Sequence, residues 1–588
     1  MAKRWIILML TAVLCLTGIN AAFAEVADGT YTVSTTGMHD GLEISVTFDG
    51  GKISDVAILS SNETPGVSDP AIERMPAEIV ESNSVLVEVV SGATMTSNGI
   101  INGVKMAIEA AGGQVSDFEN QIEAKTAVRE EKEMKADVVI AGAGIAGLTA
   151  SITAAEKGAS VILLEKMSRV GGSMAISGGN FMSVESAVAA QYGAKDSLED
   201  TLTFWQWSAD QSINQENGMP DMDRVKFMLG HVDGILSWMQ AHGVPFKSAS
   251  DVNENTVAKI RTEGGGAAVA KTLEQAALNA GVTLLYETPA TEIIVKDGKV
   301  VGLKAQSSTE NLTIYAEKGV ILATGGFGDN AEMMKELVPG YANAIPYVAK
   351  GLEGDGIRMA TAIGAAVYED AWVMSGGLSP APSVTDAMTD SSMFDYKTLS
   401  DRVLINDEGK RFTNEYVGGA YAVLSNAAAN EMSDVYYILD SSNEAFNASL
   451  EEAAAAGAIA KADTIEELAK AIGVNAEQLA ETVRTYNAYC EEKNDPEFGK
   501  PADYLVGYSE EGPYYAMYAI SSYLGTMYGV VTDYNGRVMD VNNEVIEHLY
   551  AVGEMSNRTY YNQVYVGAAS LSLYPIAAQL AVEDMLAQ

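Results

Sequence analysis

The sequence predicts a mixed α/β and α+β architecture: a Rossmann-like nucleotide fold with a capping domain inserted into it, preceded by a small domain. Three observations carry this. Asp137 to Glu165, DVVIAGAGIAGLTASITAAEKGASVILLE, runs from an apolar strand through Gly142, Gly144 and Gly147 into an Ala-rich helical pattern and a second apolar strand. Apolar strand signals return at Val320 to Phe327 and at Leu549 to Glu554, on either side of a stretch with helical periodicity. At the front, Leu42, Ile44, Val46 and Phe48 alternate as in a half-buried strand, Asp49-Gly50-Gly51 turns the chain, and Ile53 to Leu59 returns.

In the first of these stretches each glycine has a task. Gly142 allows the tight turn, Gly144 lets the backbone approach a pyrophosphate, and Gly147 lets helix and strand pack closely. The N–H groups at the helix start attract phosphate charge. Glu165 stands where an acid accepts hydrogen bonds from an adenosine ribose. A lone GxGxxG would say little, but strand, helix and acid together predict a dinucleotide site.

From the beginning of the chain, Lys3 and Arg4 precede the apolar run Trp5 to Leu16, and Ala22-Phe23-Ala24 follows. A basic region, a short apolar core and an A-x-A site predict a signal peptide over 1–24 and a protein exported to the periplasm or cell surface. Its removal deletes Lys3 and Arg4 and no acid, leaving 35 basic against 79 acidic side chains, a charge of −44. Such a field repels nucleic acid and anionic membrane surfaces. Beyond residue 24 only Cys490 remains, and His39, His231, His242 and His548 lack ligand spacing, so neither a disulfide nor a metal site is expected.

Residues 25–112 read as a domain of their own. After the two strands a helix is expected near Pro70 to Ser82, then SGATMTSNGI, Ser91 to Ile100, opens a helix carrying Val104, Met106 and Ile108. Hydroxyls and small residues at a helix start suit either an anion or a simple cap. Residues 113–135, with the run VREEKEMK, read as a polar linker. The nucleotide fold takes 136–368 and 514–588. Within it, Trp205, Trp207, Phe227, Leu236 and Trp238 form an aromatic stripe at helical spacing, expected in the core. Ala290 to Val320 shows short alternating strands with Asp297-Gly298 as a hairpin turn. The cap takes 369–513, with two amphipathic helices around Gly473, and a helix over Leu571 to Leu586 ends the chain.

After Glu165 come Lys166, Gly171-Gly172-Ser173 and Ser177-Gly178-Gly179, and later VILATGGF, Gly354-Asp355-Gly356 and LYAVGE. In this order the set resembles the FAD-binding domain of the fumarate reductase and succinate dehydrogenase flavoprotein family, over about Ala136 to Ala587. The resemblance implies non-covalent FAD, with Glu165 on the ribose and Asp355 and Glu554 toward the ribitol. Further contacts are implied at Gly142, Gly144, Ala146, Gly147, Lys166, Gly172, Ser173, Ser177, Gly178, Gly179, Gly325, Ser570 and Leu571. Ser91 to Thr96 is similar to the S-G-A-T-x-T motif of FMN-binding domains. That implies an FMN joined through its phosphate to the Thr94 hydroxyl by a flavin transferase.

The substrate region departs from the fumarate reductase pattern. Gly409-Lys410-Arg411-Phe412-Thr413-Asn414-Glu415 matches its G-K-R-F-x-N-E motif, yet Gly419 stands where the family's proton-donating arginine would be. The expected histidine is missing around Leu524 to Gly529, and Val564 to Ala569 replaces an N-R-L-G-G-N loop. Tyr421, Tyr528 and Tyr565 lie in or beside these segments. Tyr565-Val566-Gly567-Ala568 is similar to the Tyr-Pro-Gly-Ala run of 3-ketosteroid dehydrogenases, where tyrosine hydroxyl and glycine amide polarise a ketone. A phenol can donate to a carbonyl and supply a proton but cannot replace a guanidinium fork. The expected catalytic group is therefore Tyr565, Tyr421, Tyr528 and the Gly567 amide, with no cation to clamp a dicarboxylate.

These readings converge on a flavoprotein that reduces an activated C=C bond of a small substrate, an enone or an enoate, with covalent FMN relaying electrons from an external, membrane-associated donor. Three alternatives stand beside it: a 3-ketosteroid-type dehydrogenase working oxidatively, a fumarate or urocanate reductase with a rearranged clamp using Arg402 or Arg558, and a non-catalytic electron carrier.

Overall fold

The computed structural model describes residues 26–63, 68–90, 93–119, 129–253, 256–392, 394–395, 397–416, 422–442 and 444–588. The expected signal peptide, Ser91, Gly92, Gly419 and Tyr421 lie outside them. The chain divides into two compact units, Met1–Thr126 and Ala127–Gln588.

In the first unit β1 (Gly29–Thr36), β2 (Asp40–Asp49) and β3 (Lys52–Ser60) form an antiparallel sheet in that order, β1 being a strand beyond the two that the apolar alternation predicts. Leu42, Ile44, Val46 and Phe48 turn their buried face onto α1 (Asp69–Ser82) and α2 (Thr94–Ala110). Helix α2 packs tightly: a methyl group on Gly99 would stand 2.9 Å from Gly37 Cα. Val104 and Ile108 are in the core, whereas Met106 is 43% exposed.

The second unit is built on an eight-stranded sheet among the described residues. β4 (Glu130–Ala141), α3 (Ile145–Glu156) and β5 (Val161–Leu164) form the expected strand, helix, strand unit. β4 pairs in parallel with Glu310–Leu322 and with β5, and Val545–Ala551 joins the far side of Glu310–Leu322 at Val320↔Leu549. The hairpin joining Ala290–Lys296 and Lys299–Gln306 turns at Asp297 (φ 51°) and Gly298 (φ 81°), positive at both central positions as a tight hairpin demands.

Two expected boundaries are corrected. Glu130 to Lys135, read as linker, is the first half of β4, in register with Glu310 to Tyr315. This half projects into solvent, so its side chains are charged, and backbone pairing with cross-strand contacts such as Lys132 Nζ to Glu310 at 2.8 Å suffices to hold it. Tyr514–Met527, placed in the nucleotide domain, is instead the longest strand of a second sheet, six-stranded among the described residues. It pairs there with Ile345–Pro346, Trp372–Pro380, Val435–Asp440 and Ala460–Ala462. The cap's core sheet thus includes residues on both sides of the expected 369–513 limits.

The two cap helices are present as Ile465–Ile472 and Ala476–Glu492, separated by Gly473 at φ 80°. Of the aromatic stripe, Trp205 and Leu236 are buried, Trp207 and Trp238 are half-buried, and Phe227 is exposed. A third small sheet, Asn180–Met182, Lys259–Thr262 and Phe246–Ser250, lies beside the glycine-rich segment after β5.

Candidate active site

The glycine turn, the C-terminal helix and the small third sheet enclose a cleft of about 770 Å³ in the second unit. At one end lie Gly142, Gly144, Ala146 and Glu165. Gly142 has φ +100°, and a methyl group on it would meet Ala323 O at 2.4 Å. On Gly147 the methyl would lie 1.8 Å from Gly142 O, so this residue serves helix packing and does not line the cleft. Gly144 is the opposite case: a methyl there meets nothing within 4 Å, and the residue faces the cleft. Glu165 accepts hydrogen bonds from the amides of Ala143 at 2.9 Å and Met167 at 2.8 Å. Burial nevertheless holds its pKa above the ordinary carboxylate value.

Along the cleft wall come Lys166, Gly172, Ser173, Ser177, Gly178, Gly325, Asp355 and Glu554. Lys166 Nζ donates to both Glu353 and Asp355 at 2.7 Å, and Arg358 pairs with the other Asp355 oxygen. Glu554 Oε1 accepts from the Thr526 amide at 2.8 Å and hydroxyl at 3.0 Å, and burial pushes its pKa up to about 7. Gly179, expected among the cofactor contacts, is withdrawn from the cleft. It sits at φ +66°, and a methyl on it would strike Thr262 Oγ1 at 2.2 Å, so its role is to seat the third sheet.

The fit of this cleft to FAD rests on the open space over Gly144 and on one orphaned polar atom. Ser173 Oγ is buried at the cleft wall with no hydrogen-bond partner among the described residues, which a ligand would supply.

At the other end stand Tyr565, Gly567, Ala568, Ser570 and Leu571. The helix Ala569–Ala587 begins here, so its free amides and the positive end of its dipole border the cleft. Ala568 caps it in the left-handed region, φ +70°, and accepts from the Met182 amide at 3.1 Å. Tyr565 packs edge-on against Tyr561 at 5.3 Å, and Tyr561 stacks on Trp205 at 5.8 Å and 10°. Trp205 Nε1 donates to Tyr560 O at 2.8 Å, fixing the buttress from behind. Tyr574, which the sequence reading did not single out, also lines the cleft, and its hydroxyl accepts from Asn557 at 2.8 Å.

Tyr528 is corrected. Its ring packs edge-on against Phe327 in the core and does not line the cleft, because the residue lies just past the strand end Met527, on the side facing the main sheet. The two arginines considered as substitutes for the clamp are also committed elsewhere. Arg402 is buried against Asp401 and Asp440, and Arg558 against Asp370 and the carbonyls of Tyr561 and Asn562. Arg411 and Glu415 of the G-K-R-F motif form a buried ion cluster with Asp495 and Lys500. Three lysines line the cleft, and two of them are paired: Lys166 with Glu353 and Asp355, and Lys350 with Asp329. Lys259 comes from the third sheet, a segment whose sequence carries no motif.

Comparison with known proteins places the second unit. Residues 137–570 match the FAD binding domain family, and residues 37–109 match the FMN-binding domain. The chain belongs to the fumarate and urocanate reductase-like flavoprotein family. It is 29% identical to NADH:acrylate oxidoreductase of Vibrio harveyi, over 93% of this chain and 60% of that protein, so it spans well under two thirds of that relative's length. Urocanate reductase of Eggerthella lenta is 28% identical over 90% of this chain and 87% of its own length. Vinyl phenol reductase of Lactiplantibacillus plantarum is 30% identical over 71% and 89%. Among solved structures, a 3-ketosteroid-Δ4-(5α)-dehydrogenase of Rhodococcus jostii superimposes with a TM-score of 0.59 at 25% identity, covering 78% of this chain and 98% of that one.

In the first unit Thr94 is exposed as the first residue of α2, with no side-chain cap at the helix start. Beneath it the Thr96 hydroxyl donates to Glu63, which also accepts from the amides of Met38 at 3.0 Å and His39 at 2.9 Å. Burial opposes ionisation of Glu63, but these donors together hold its pKa below the ordinary value. Glu63 thus ties the start of α2 to the β1–β2 turn, a link that no sequence spacing announced.

Proposed function

We propose that the protein is an exported reductase of activated C=C bonds, with FAD in the cleft and an FMN esterified to Thr94 that relays electrons from an external, membrane-associated donor. The observation that carries this reading is the sharing of one cleft by the dinucleotide cradle and the Tyr565–Ala568 segment. The relatives named for acrylate, urocanate and vinyl phenol reduction support the same reaction type.

Gly144, Glu165 and Ser173 would hold FAD, which when bound and reduced would supply a hydride to the β carbon of the alkene, a proton then going to the α carbon to complete the reduction. Tyr565 donates its hydroxyl to the carbonyl oxygen of the substrate, joined by the Gly567 amide. The positive end of the C-terminal helix favours the enolate charge that develops on that oxygen. The Trp205–Tyr561 stack fixes the Tyr565 ring, so the donor is oriented before the substrate enters. Tyr574 keeps its own proton, since burial first and the Glu554 charge second hold its pKa far above that of a free phenol.

The test is anaerobic oxidation of the reduced, FMN-loaded protein by a panel of enones, enoates and fumarate, followed by flavin absorbance. Reoxidation by at least one alkene is expected, and inertness to all would remove the reductase reading. After maturation with its flavin transferase, denatured protein retains FMN and releases FAD. Thr94→Val loses the bound FMN only, and N-terminal sequencing of secreted protein begins at Glu25.

A further inference from the structure

Lys259 and Arg261 stand two residues apart on the strand Lys259–Thr262, where alternate side chains share a face. Both are half-buried, and neither has a hydrogen-bond or ion-pair partner among the described residues. In a chain with 79 acidic side chains against 37 basic ones, two adjacent cations left without an acid are conspicuous. Lys259 lines the cleft beside Tyr565, and a methyl group built on Gly567 would stand 4.0 Å from its Nζ. The ammonium therefore lies beside the backbone of Gly567, in the cleft that Tyr565 also lines. Half-burying a cation without a counter-ion is unfavourable unless something anionic completes it. Burial and the Arg261 charge both pull the lysine's pKa below its ordinary value, which agrees with an incomplete site.

We propose that Lys259 is the anion anchor of the substrate subsite, so that the enzyme selects an α,β-unsaturated carboxylate and holds its carboxylate between Lys259 Nζ, the Tyr565 hydroxyl and the Gly567 amide. This rests on the reductase reading above and names its substrate class. It also reverses the expectation that the subsite holds no cation: the guanidinium forks are absent from the three altered segments, and a lysine from a fourth takes their place. Arg261, behind it, adds positive potential and is not assigned a contact. A single ammonium suits a single carboxylate, so monoanionic enoates rank above fumarate.

The experiment compares acrylate with its neutral counterpart acrylamide on the full-length, flavin-loaded protein. In Lys259→Met the ratio of kcat/KM for acrylate to that for acrylamide is expected to fall about 10- to 100-fold, the loss of one charge-assisted hydrogen bond. The change lies chiefly in KM, and Lys259→Arg restores most of the ratio. Propionate, which binds without turnover, is titrated against the oxidised flavin spectrum in the same variants, and its affinity should fall in parallel. An unchanged ratio together with unchanged propionate affinity overturns the proposal. So does an equal loss for both alkenes with a shifted flavin midpoint potential, which would assign Lys259 to the flavin. If Lys259→Met fails to retain FAD, Lys259→Gln carries the same comparison. If the wild type reduces neither alkene yet binds propionate in a Lys259-dependent way, the anchor stands and the reductase reading falls.

Discussion

At the nucleotide end of the cleft, one continuous stretch, residues 137–165, supplies the turn, the helix start and the acid. At the substrate end, Lys259, Leu524, Tyr565 and Tyr574 arrive from three separate parts of the chain. The first end is specified by backbone shape and tolerates little, because a glycine's value there is the space a side chain would fill. The second is specified by side-chain chemistry held on rigid supports, so single residues can be exchanged and the reaction changes while the fold persists. On the proposed function, binding the cofactor and choosing the substrate are thus separable properties of this molecule.

Glycine substitutions give the largest effects and can break this comparison. Gly144→Val is expected to fold with the melting temperature of the FAD-free wild type and to contain no FAD, because its side chain enters open cleft space. Gly147→Val, three residues on, is expected to be insoluble or strongly destabilised, because even its Cβ would overlap the Gly142 carbonyl. Equal behaviour of the two, in melting and in released flavin, would abolish the distinction between cradle and packing glycines.

Next in size, Tyr565→Phe should lower turnover of the best alkene on the order of 10²-fold with FAD content intact, the loss usual for an oxyanion-hole donor. Steady-state kinetics with normal flavin content checks this, and a change confined to KM would demote Tyr565 to a packing residue. Glu165→Gln should weaken FAD retention about tenfold or more. It removes a charge from the ribose contact and turns an amide donor toward one of the Ala143 and Met167 amides that the carboxylate now satisfies. Equilibrium dialysis of FAD measures it.

The smallest effect is a pH dependence. Glu554 has its folded pKa raised from 4.5 to about 7 by burial. A raised pKa means the folded state binds the proton more tightly than the unfolded chain. Its stabilising contribution is therefore complete below about pH 4.5 and is lost as pH rises through 7, by a few kcal/mol at most. FAD-free protein should melt at lower temperature with rising pH across this window, and Glu554→Gln should flatten that slope.

The nucleotide end was legible in the sequence because its requirements are local: a turn, a close approach and an acid at fixed spacing. The β2–β3 hairpin and the two cap helices were legible for the same reason, since period and capping residues are short-range signals. Tyr514–Met527 was misplaced because pairing partners as distant as Trp372 and Ala460 leave no mark within the strand itself. Tyr528 and Tyr565 have the same chemistry in sequence, and only packing against Phe327 in one case and Tyr561 in the other separates core from cleft. Lys259 escaped notice because a lysine in a polar stretch looks like any surface lysine until the fold shows that no acid meets it among the described residues. A sequence search for basic residues two apart near the glycine-rich segment would have raised it.

Ala568 has a mechanical consequence. An alanine at φ +70° lies about 1–2 kcal/mol above its right-handed alternative. The peptide that presents the Gly567 and Ala568 atoms to the cleft is accordingly a loaded spring, latched by the Met182 amide on the Ala568 carbonyl and by the helix that follows. Glycine at this position would relax the spring. It would deepen the working conformation while adding chain entropy to the unfolded state, so that two opposing terms of similar size decide the sign. The backbone at the substrate end thus carries one strained alanine, where at the nucleotide end close approach rests on the absence of side chains.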